Sequence, residues 1–200
     1  MSDELEQKHQ KKMAKLKEVV DARIEQAQEE RGVLIALKGN GKGKSSSAFG
    51  TMARALGHKQ KCGVVQFIKG RIETGEQLFF GNHPGVDFHV MGTGFTWETQ
   101  NRSQDIEAAE NAWKIAESML QDASYQLLVF DELTYLFKYK YLDVNRVVTA
   151  LQARPKHMNV MITGRTLARE IADIADTIST VQDDKHAFRA GVKAQPGIEW

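Results

Sequence analysis

Six short apolar runs, separated by segments of helical character, constrain the fold of this chain more than any other feature. They are VLIAL (33–37), CGVVQFI (62–68), VDFHVM (86–91), QLLVF (126–130), NVMIT (159–163) and TISTV (177–181). Continuous apolar runs of this length are typical of strands buried on both faces, as in parallel sheets covered by helices. The pattern therefore predicts a three-layer α/β/α domain with a mostly parallel sheet of about six strands.

The segments between these runs predict the covering helices, at residues 45–56, 107–120, 144–154 and 167–175. Asp143 stands where an N-cap is expected, and Gly57 is a plausible glycine stop. Strands that alternate with helices have right-handed connections, and such sheets bind ligands at the carboxyl ends of their strands. We therefore expect the functional site at that edge.

Residues 1–31 differ from the rest of the chain. They are rich in Glu, Gln, Lys and Ala, and their apolar residues at helical spacing are Leu16, Val19, Val20 and Ile24. So few apolar side chains are too little to pack a helix firmly. We predict a mobile N-terminal helical arm, either a solvated leader or a lid or dimer contact, followed by one domain over residues 32–200.

Composition excludes several classes of protein. Lys and Arg total 27 against 26 Asp and Glu, so no net charge favours nucleic acid or an anionic membrane. Cys62 is the single cysteine, which suits a reducing compartment and a small buried side chain. Without an apolar segment fit for a signal peptide or a membrane span, we expect a cytoplasmic protein.

A glycine-rich loop follows the first predicted strand and runs into the first predicted helix. Its sequence, GNGKGKS, spans Gly39, Asn40, Gly41, Lys42, Gly43, Lys44 and Ser45. Strand, loop and helix in this order form a P-loop, in which backbone amides and the lysine hold phosphates and the hydroxyl binds Mg²⁺. Lys38 departs from the usual pattern, because it stands at the position of the first glycine. The spacing does not fit a dinucleotide-binding fold, whose third glycine and ribose-binding acid are both missing.

Two further strand ends bring charged residues to the same edge. LLVFDELTY places Asp131 and Glu132 after a buried strand, a Walker B arrangement, so either acid could complete a Mg²⁺ site with Ser45. Arg165 follows the strand in VMITGR and could contact the polyphosphate. These residues predict a nucleotide site of the P-loop type, as found in ATPases and kinases.

HVMGTGFTWETQNR, residues 89–102, is not required by ordinary phosphoryl transfer. Phe95 and Trp97 could fill the core, or they could face a broad apolar ligand. With this stretch, the chain resembles the ATP:corrinoid adenosyltransferases of the CobA/BtuR family from about residue 20 to residue 200. The matching motifs, in order, are GNGKGKS, CGVVQFIKG, TGFTWETQNR, DELTY, ARP, ITGR, KHAF and AGVKAQ.

The resemblance implies a P-loop NTPase (RecA-like) fold and a homodimeric cytoplasmic enzyme of the cob(I)yrinic acid a,c-diamide adenosyltransferase type. Such enzymes transfer the 5′-deoxyadenosyl group of ATP to the Co(I) of a corrinoid such as cobalamin or cobinamide, and release tripolyphosphate. They serve adenosylcobalamin synthesis or salvage, require Mg²⁺, and use reduced flavodoxin or flavin as electron donor. Their ATP lies reversed relative to that of other P-loop enzymes.

The resemblance also implies roles for residues. Phe95 and Trp97 match the residues that displace the lower axial ligand of the corrinoid, which leaves a Co(II) that is easier to reduce. Lys44 and Arg165 would stabilise the triphosphate as it leaves, and the arm would fold over the corrinoid. Ser45 replaces the usual Thr, Lys38 another Thr, and Arg189 and Pro196 replace an expected Asp and Met. A generic P-loop ATPase or kinase, or a nucleotide-gated binding module without turnover, are the alternatives.

Overall fold

A computed structural model describes residues 2–68, 73–91 and 101–199 of the chain. The chain divides into two compact units, residues 1–31 and residues 32–200. The first contains helix α1 (Ser2–Gln26), whose apolar side chains Leu16, Val19, Val20 and Ile24 are exposed. No helix in the described ranges has the length and apolar character that crossing a bilayer requires.

The second unit alternates strands and helices. Its strands are β1 (Leu34–Lys38), β2 (Cys62–Gln66), β3 (Val86–Val90), β4 (Leu127–Asp131), β5 (Asn159–Gly164) and β6 (Thr177–Thr180). Its helices are α2 (Lys44–Gly57), α3 (Gly75–Phe80), α4 (Arg102–Gln121), α5 (Thr134–Lys138), α6 (Val144–Ala153) and α7 (Arg169–Ile174), with a final 3₁₀ turn at Ala187–Ala190. Each of the six apolar runs in the sequence corresponds to one of these strands.

The strands form one sheet in the order β3-β2-β4-β5-β1-β6, and every pairing between them is parallel. The predicted fold class is therefore confirmed: an α/β protein with three layers and a parallel sheet of six described strands. Since parallel strands need crossover connections, the intervening helices cover the two faces of the sheet.

Both faces of the central strands β2, β4 and β5 are buried, which explains why these strands are largely apolar in sequence, whereas the edge strand β6 is exposed. In β4, Leu128 and Phe130 belong to one hydrophobic cluster, together with Trp113 of α4. Leu127 and Val129 belong to another cluster, which contains the α2 residues Ala48, Phe49 and Met52. Successive side chains of a strand point to opposite faces, so a strand with two covered faces has no position for an exposed polar residue.

The end of α2 and the start of α4 differ from the predicted helix boundaries, whereas the start of α6 agrees. Asp143 is the N-cap of α6, as predicted, and its Oδ1 accepts a hydrogen bond from Asn145 N at 3.0 Å. The expected stop at Gly57 is wrong, since Gly57 is still helical and Lys59 is the residue with a positive φ, 59°. α4 begins five residues earlier than predicted, because the Asn101 side chain caps it.

Cys62 begins strand β2 and is fully buried. Burial raises the pKa of its thiol to about 11, so the group stays neutral at physiological pH. Its side chain serves as a small apolar residue of the core, as the sequence suggested.

Gly164, the last residue of β5, lies against Thr134 of α5. A Cβ built on Gly164 would come 1.8 Å from Thr134 Oγ1, and Thr134 is buried. We predict that Gly164→Ala lowers the free energy of unfolding by about 1–3 kcal/mol, through overpacking. Gly50→Ala in α2 is the control, because nothing lies within 4 Å of its added Cβ. This change should stabilise the helix by about 0.5–1 kcal/mol. Equal effects in urea denaturation would contradict the prediction.

Candidate functional site

The loop of residues 39–43 connects β1 to α2 at the carboxyl edge of the sheet, and two backbone hydrogen bonds hold it there. Gly39 N donates to Arg165 O at 3.2 Å, and Gly41 N donates to Val181 O at 2.9 Å. The loop is thus attached to the segments that follow β5 and β6, the two neighbours of β1 in the sheet. Its conformation depends on strands that are more than a hundred residues away in sequence.

The glycines of this loop are required for two different reasons. Gly39 and Gly43 both have φ of 115°, a conformation that other residues rarely adopt. Gly41 instead lies so close to the chain after β6 that an added Cβ would come 2.1 Å from Gln182 O. A side chain at Gly41 would therefore push the loop off the sheet edge rather than strain its own backbone.

The loop forms the floor of a cavity of about 670 Å³. Further walls come from α3, from the ends of β4 and β5, and from the C-terminal segment. The lining residues outside the loop and the start of α2 are Gly75, Glu76, Phe79, Phe80, Glu132, Arg165, His186, Gly197, Ile198 and Glu199. A cavity floored by a glycine-rich loop at the N-terminus of a helix is suited to an anion.

Lys44 is the first residue of α2, and its ammonium group is held inside the site. Its side chain is buried, and Nζ donates to Gly41 O at 2.9 Å. Burial lowers the pKa of Lys44, while the neighbouring carboxylates Glu132 and Asp131 act in the opposite direction. An anionic ligand in the cavity would add a further negative partner and so favour the charged ammonium.

Asp131, at the end of β4, is the centre of a buried hydrogen-bond network. Its Oδ1 accepts from Ser45 Oγ at 2.8 Å and from Thr163 Oγ1 at 2.7 Å. Its Oδ2 accepts from Gln66 Nε2 at 3.3 Å. Both oxygens of this buried carboxylate are thus occupied by donors from α2, β5 and β2, which compensates the cost of burying a charge.

Glu132 follows directly and faces the cavity. Its backbone has φ of 56°, and its amide donates to Thr163 Oγ1 at 2.9 Å, so the unusual conformation is held in place. Burial raises the pKa of the Glu132 carboxyl, and the negative charge of Asp131 raises it further. Lys44 and Arg165 oppose this shift. The two adjacent acids therefore have different surroundings. Asp131 is held by hydrogen bonds, whereas Glu132 lines the cavity.

Two further cations reach the cavity. Arg165 follows β5, and its exposed side chain lines the cavity near Lys44 and Glu132. Lys42 belongs to the loop, and its Nζ lies 2.5 Å from Glu199 Oε2 in the C-terminal segment. Among the residues that the structure describes, the site thus combines the start of α2 with the basic side chains of Lys42, Lys44 and Arg165.

The structure brings the predicted ATP-binding residues together. Those that line the cavity are Asn40, Gly41, Lys42, Gly43, Lys44, Ser45, Glu132 and Arg165. Gly39 holds the loop, and Asp131 lies behind Ser45. Phe95 and Trp97 fall outside the described residues.

Some residues of the site were missed by sequence reasoning. Gln66 and Thr163 hold Asp131, and each is a polar residue inside an otherwise apolar strand, which is a usable signal because buried polar groups need partners. The C-terminal contribution of Ile198 and Glu199 had no such signal, since only the folded chain brings residue 199 to residue 42.

The sequence model of a family described as ATP:corrinoid adenosyltransferase BtuR/CobO/CobP matches residues 30–200. The chain belongs to this family. A second family model, described as the N-terminal region of cob(I)alamin adenosyltransferase, matches residues 1–24. The family resemblance expected from the motifs is thereby confirmed over most of the chain.

Individual relatives match along all or nearly all of the chain. Corrinoid adenosyltransferase CobA of Salmonella typhimurium is 53% identical over 200 residues, which are all of this chain and all of that protein. A corrinoid adenosyltransferase of Pseudomonas aeruginosa is 52% identical over 200 residues, 100% of this chain and 98% of that protein. A corrinoid adenosyltransferase of a Sinorhizobium species is 39% identical over 196 residues, 96% of this chain and 92% of that protein.

Two residues in which the chain departs from the expected family pattern lie near its C-terminus. Arg189 forms an ion pair with Asp183, so this local contact is made between side chains of the same segment. Nothing in the structure explains Pro196.

We predict that Glu132→Gln stabilises the protein without ligand. A raised pKa in the folded state means that the charged carboxylate opposes folding at neutral pH. For the parent protein, the free energy of unfolding should rise as the pH falls through the raised pKa towards the ordinary value of 4.5. Glu132→Gln, being neutral throughout, should show its advantage at neutral pH and lose it in acid.

Urea denaturation at a series of pH values measures this difference, with Glu107→Gln on the exposed face of α4 as the control. The same advantage for both variants, or one that grows as the pH falls, would contradict the assignment of a buried, charge-disfavouring environment to Glu132.

Proposed function

We propose that this protein is a corrinoid adenosyltransferase, which transfers the 5′-deoxyadenosyl group of ATP to the Co(I) of a corrinoid and releases tripolyphosphate. The observation that carries the proposal is identity of 52–53% along the entire chain to proteins named corrinoid adenosyltransferases. A phosphate-binding cavity built on a P-loop is consistent with it, and a generic P-loop ATPase or kinase is not favoured.

The cavity supplies what the leaving group needs. The N-terminus of α2, which begins at Lys44 directly after the loop, presents its first amides to the triphosphate. Lys42, Lys44 and Arg165 add positive charge, which stabilises the negative charge that develops on the triphosphate as it separates from C5′.

The donor atoms at the cavity also fit Mg²⁺, which prefers hard oxygen ligands and keeps several waters. Ser45 Oγ donates a hydrogen bond to Asp131 Oδ1, so both lone pairs of this oxygen point away from Asp131. We therefore propose that Ser45 and Glu132 hold the ion directly and that Asp131 acts through Ser45. Bound there with the nucleotide, Mg²⁺ would neutralise charge on the leaving triphosphate.

The chemistry itself needs no protein nucleophile. An electron pair of Co(I) attacks C5′ and forms a Co–C bond, the C5′–O5′ bond breaks, and its electron pair stays on O5′ of the tripolyphosphate. The protein's task is therefore to position ATP, to neutralise charge and to hold the corrinoid.

We assign the remaining parts of the site by resemblance to the family. Phe95 and Trp97 would displace the lower axial ligand of the corrinoid through their size and apolar character. The arm of residues 1–31 would cover the corrinoid, and its exposed apolar side chains are available for such a contact. A homodimer in the cytoplasm, with reduced flavodoxin or flavin as electron donor, completes the proposal.

One assay tests the reaction. The protein is incubated with ATP, Mg²⁺ and chemically reduced cobalamin under anaerobic conditions. We expect tripolyphosphate as the phosphorus product and a light-sensitive Co–C bond in the corrinoid. Formation of ADP and phosphate, or no product, would refute the proposed function.

A further prediction concerns the two aromatic residues. Combining Phe95→Ala with Trp97→Ala should prevent formation of the easily reduced Co(II) species, followed by its absorption spectrum, while ATP binding in calorimetry changes by less than about twofold. With Co(I) supplied chemically, much of the transfer activity should return, because the reduction step is bypassed. Equal loss of ATP binding and of Co(II) formation would indicate a structural role instead.

A further inference from the structure

The C-terminal turn, residues 195–199, forms one wall of the phosphate cavity. Gln195 O accepts hydrogen bonds from Ile198 N at 3.2 Å and from Glu199 N at 2.9 Å, and Gly197 has φ of 76°. Gly197, Ile198 and Glu199 all line the cavity. The turn therefore presents the Glu199 carboxylate to the P-loop.

The contact it makes is specific. Lys42 Nζ donates to Glu199 Oε2 at 2.5 Å, and the two side chains are 45% and 29% exposed. The other lysine at the cavity floor, Lys44, donates instead to the loop carbonyl of Gly41. A carboxylate thus bonds to the more accessible ammonium group of the phosphate loop.

A polyphosphate that contacts Lys42 must compete with this carboxylate. If both bonded to the same ammonium, the carboxylate and phosphate oxygens would lie within a few ångströms of each other, and their like charges would repel. Binding of the polyphosphate therefore breaks the ion pair with Glu199 or is weakened by it.

If the reaction is the adenosyl transfer proposed above, the competition for Lys42 affects the binding of the product more than that of the substrate. Cleavage of C5′–O5′ leaves the complete triphosphate chain in the loop and adds the negative charge of O5′. Such a product gains more than ATP from every cation in the cavity, so the loop that best holds the leaving group also retains it.

We propose that Glu199 promotes release of tripolyphosphate by competing with it for Lys42. The carboxylate is attached to the chain, so it stays at a high effective concentration next to the ammonium group. It re-forms the ion pair whenever a phosphate oxygen leaves Lys42, which lowers the affinity of the loop for polyanions. This role rests on the proposed function, whereas the competition itself rests only on the geometry.

Calorimetric binding of tripolyphosphate with Mg²⁺ tests the competition, in the full-length protein without corrinoid. Glu199→Gln should bind tripolyphosphate about two- to fivefold more tightly, the range expected of a partly exposed ion pair. The gain should shrink as the ionic strength rises. Glu76→Gln is the matched control, because Glu76 lines the same cavity from α3 but is not bonded to Lys42. It removes one negative charge and leaves the ion pair intact.

A double-mutant cycle assigns the effect to the pair. In a Lys42→Gln background, Glu199→Gln should change the affinity far less than in the parent protein, since the group for which it competes is gone. An unchanged affinity for Glu199→Gln, a gain equal to that of Glu76→Gln, or a full effect in the Lys42→Gln background would each overturn the inference.

Turnover separates this inference from the proposed function. In the adenosyl-transfer assay, Glu199→Gln should show stronger inhibition by added tripolyphosphate. If the parent protein forms no Co–C bond while Glu199→Gln still binds tripolyphosphate more tightly, the proposed function fails and the competition stands. If the transfer occurs but inhibition and binding are unchanged, only the role of Glu199 fails.

Discussion

The buried carboxylate of Asp131 is the interaction on which the site depends. It accepts hydrogen bonds from α2 through Ser45, from β5 through Thr163 and from β2 through Gln66. A charged group inside a protein is tolerated only when its oxygens are bonded, so each of these elements has one position in which the network is complete. The start of the phosphate loop's helix is thereby placed relative to three central strands, and Glu132 is held beside it through the second hydrogen bond of Thr163.

Around this centre the protein concentrates charges that oppose its own stability. Burial disfavours the charged forms of both Lys44 and Glu132, and the two groups reduce each other's cost. Such an arrangement is typical of sites where an anionic ligand and a cation arrive together, because the ligand supplies the missing counter-charges. Lys42 is likewise a cation of the cavity that needs a counter-charge, and without a ligand Glu199 supplies it through the ion pair.

Much of the fold could be predicted from local patterns. Strands that are buried on both faces are recognisable as apolar runs in the sequence. The start of α6 is recognisable from Asp143, a residue type that caps helix N-termini. Helix ends were less predictable, since Lys59, not Gly57, takes the left-handed conformation after α2. Helix α3, which Thr74 caps, has six residues, and this is too short for a periodic pattern of apolar residues in the sequence. In the site, the loop and Glu132 were found from motifs, whereas Gln66 and Thr163 were not.

By itself, the sequence determined the type of sheet, the phosphate loop, the acidic pair after β4 and the family. These features are local or lie in short motifs, because they follow from strand periodicity and from the residues that a loop requires. Only the tertiary structure decided which acid lines the cavity, why Gly41 must lack a side chain, and that Glu199 meets Lys42. Each of these depends on chain segments that are distant in sequence and adjacent in space: Asp131 with Thr163, Gly41 with Gln182, and residue 42 with residue 199. Local propensities carry no information about such contacts, since they arise when the sheet assembles and its carboxyl edge brings the loops together.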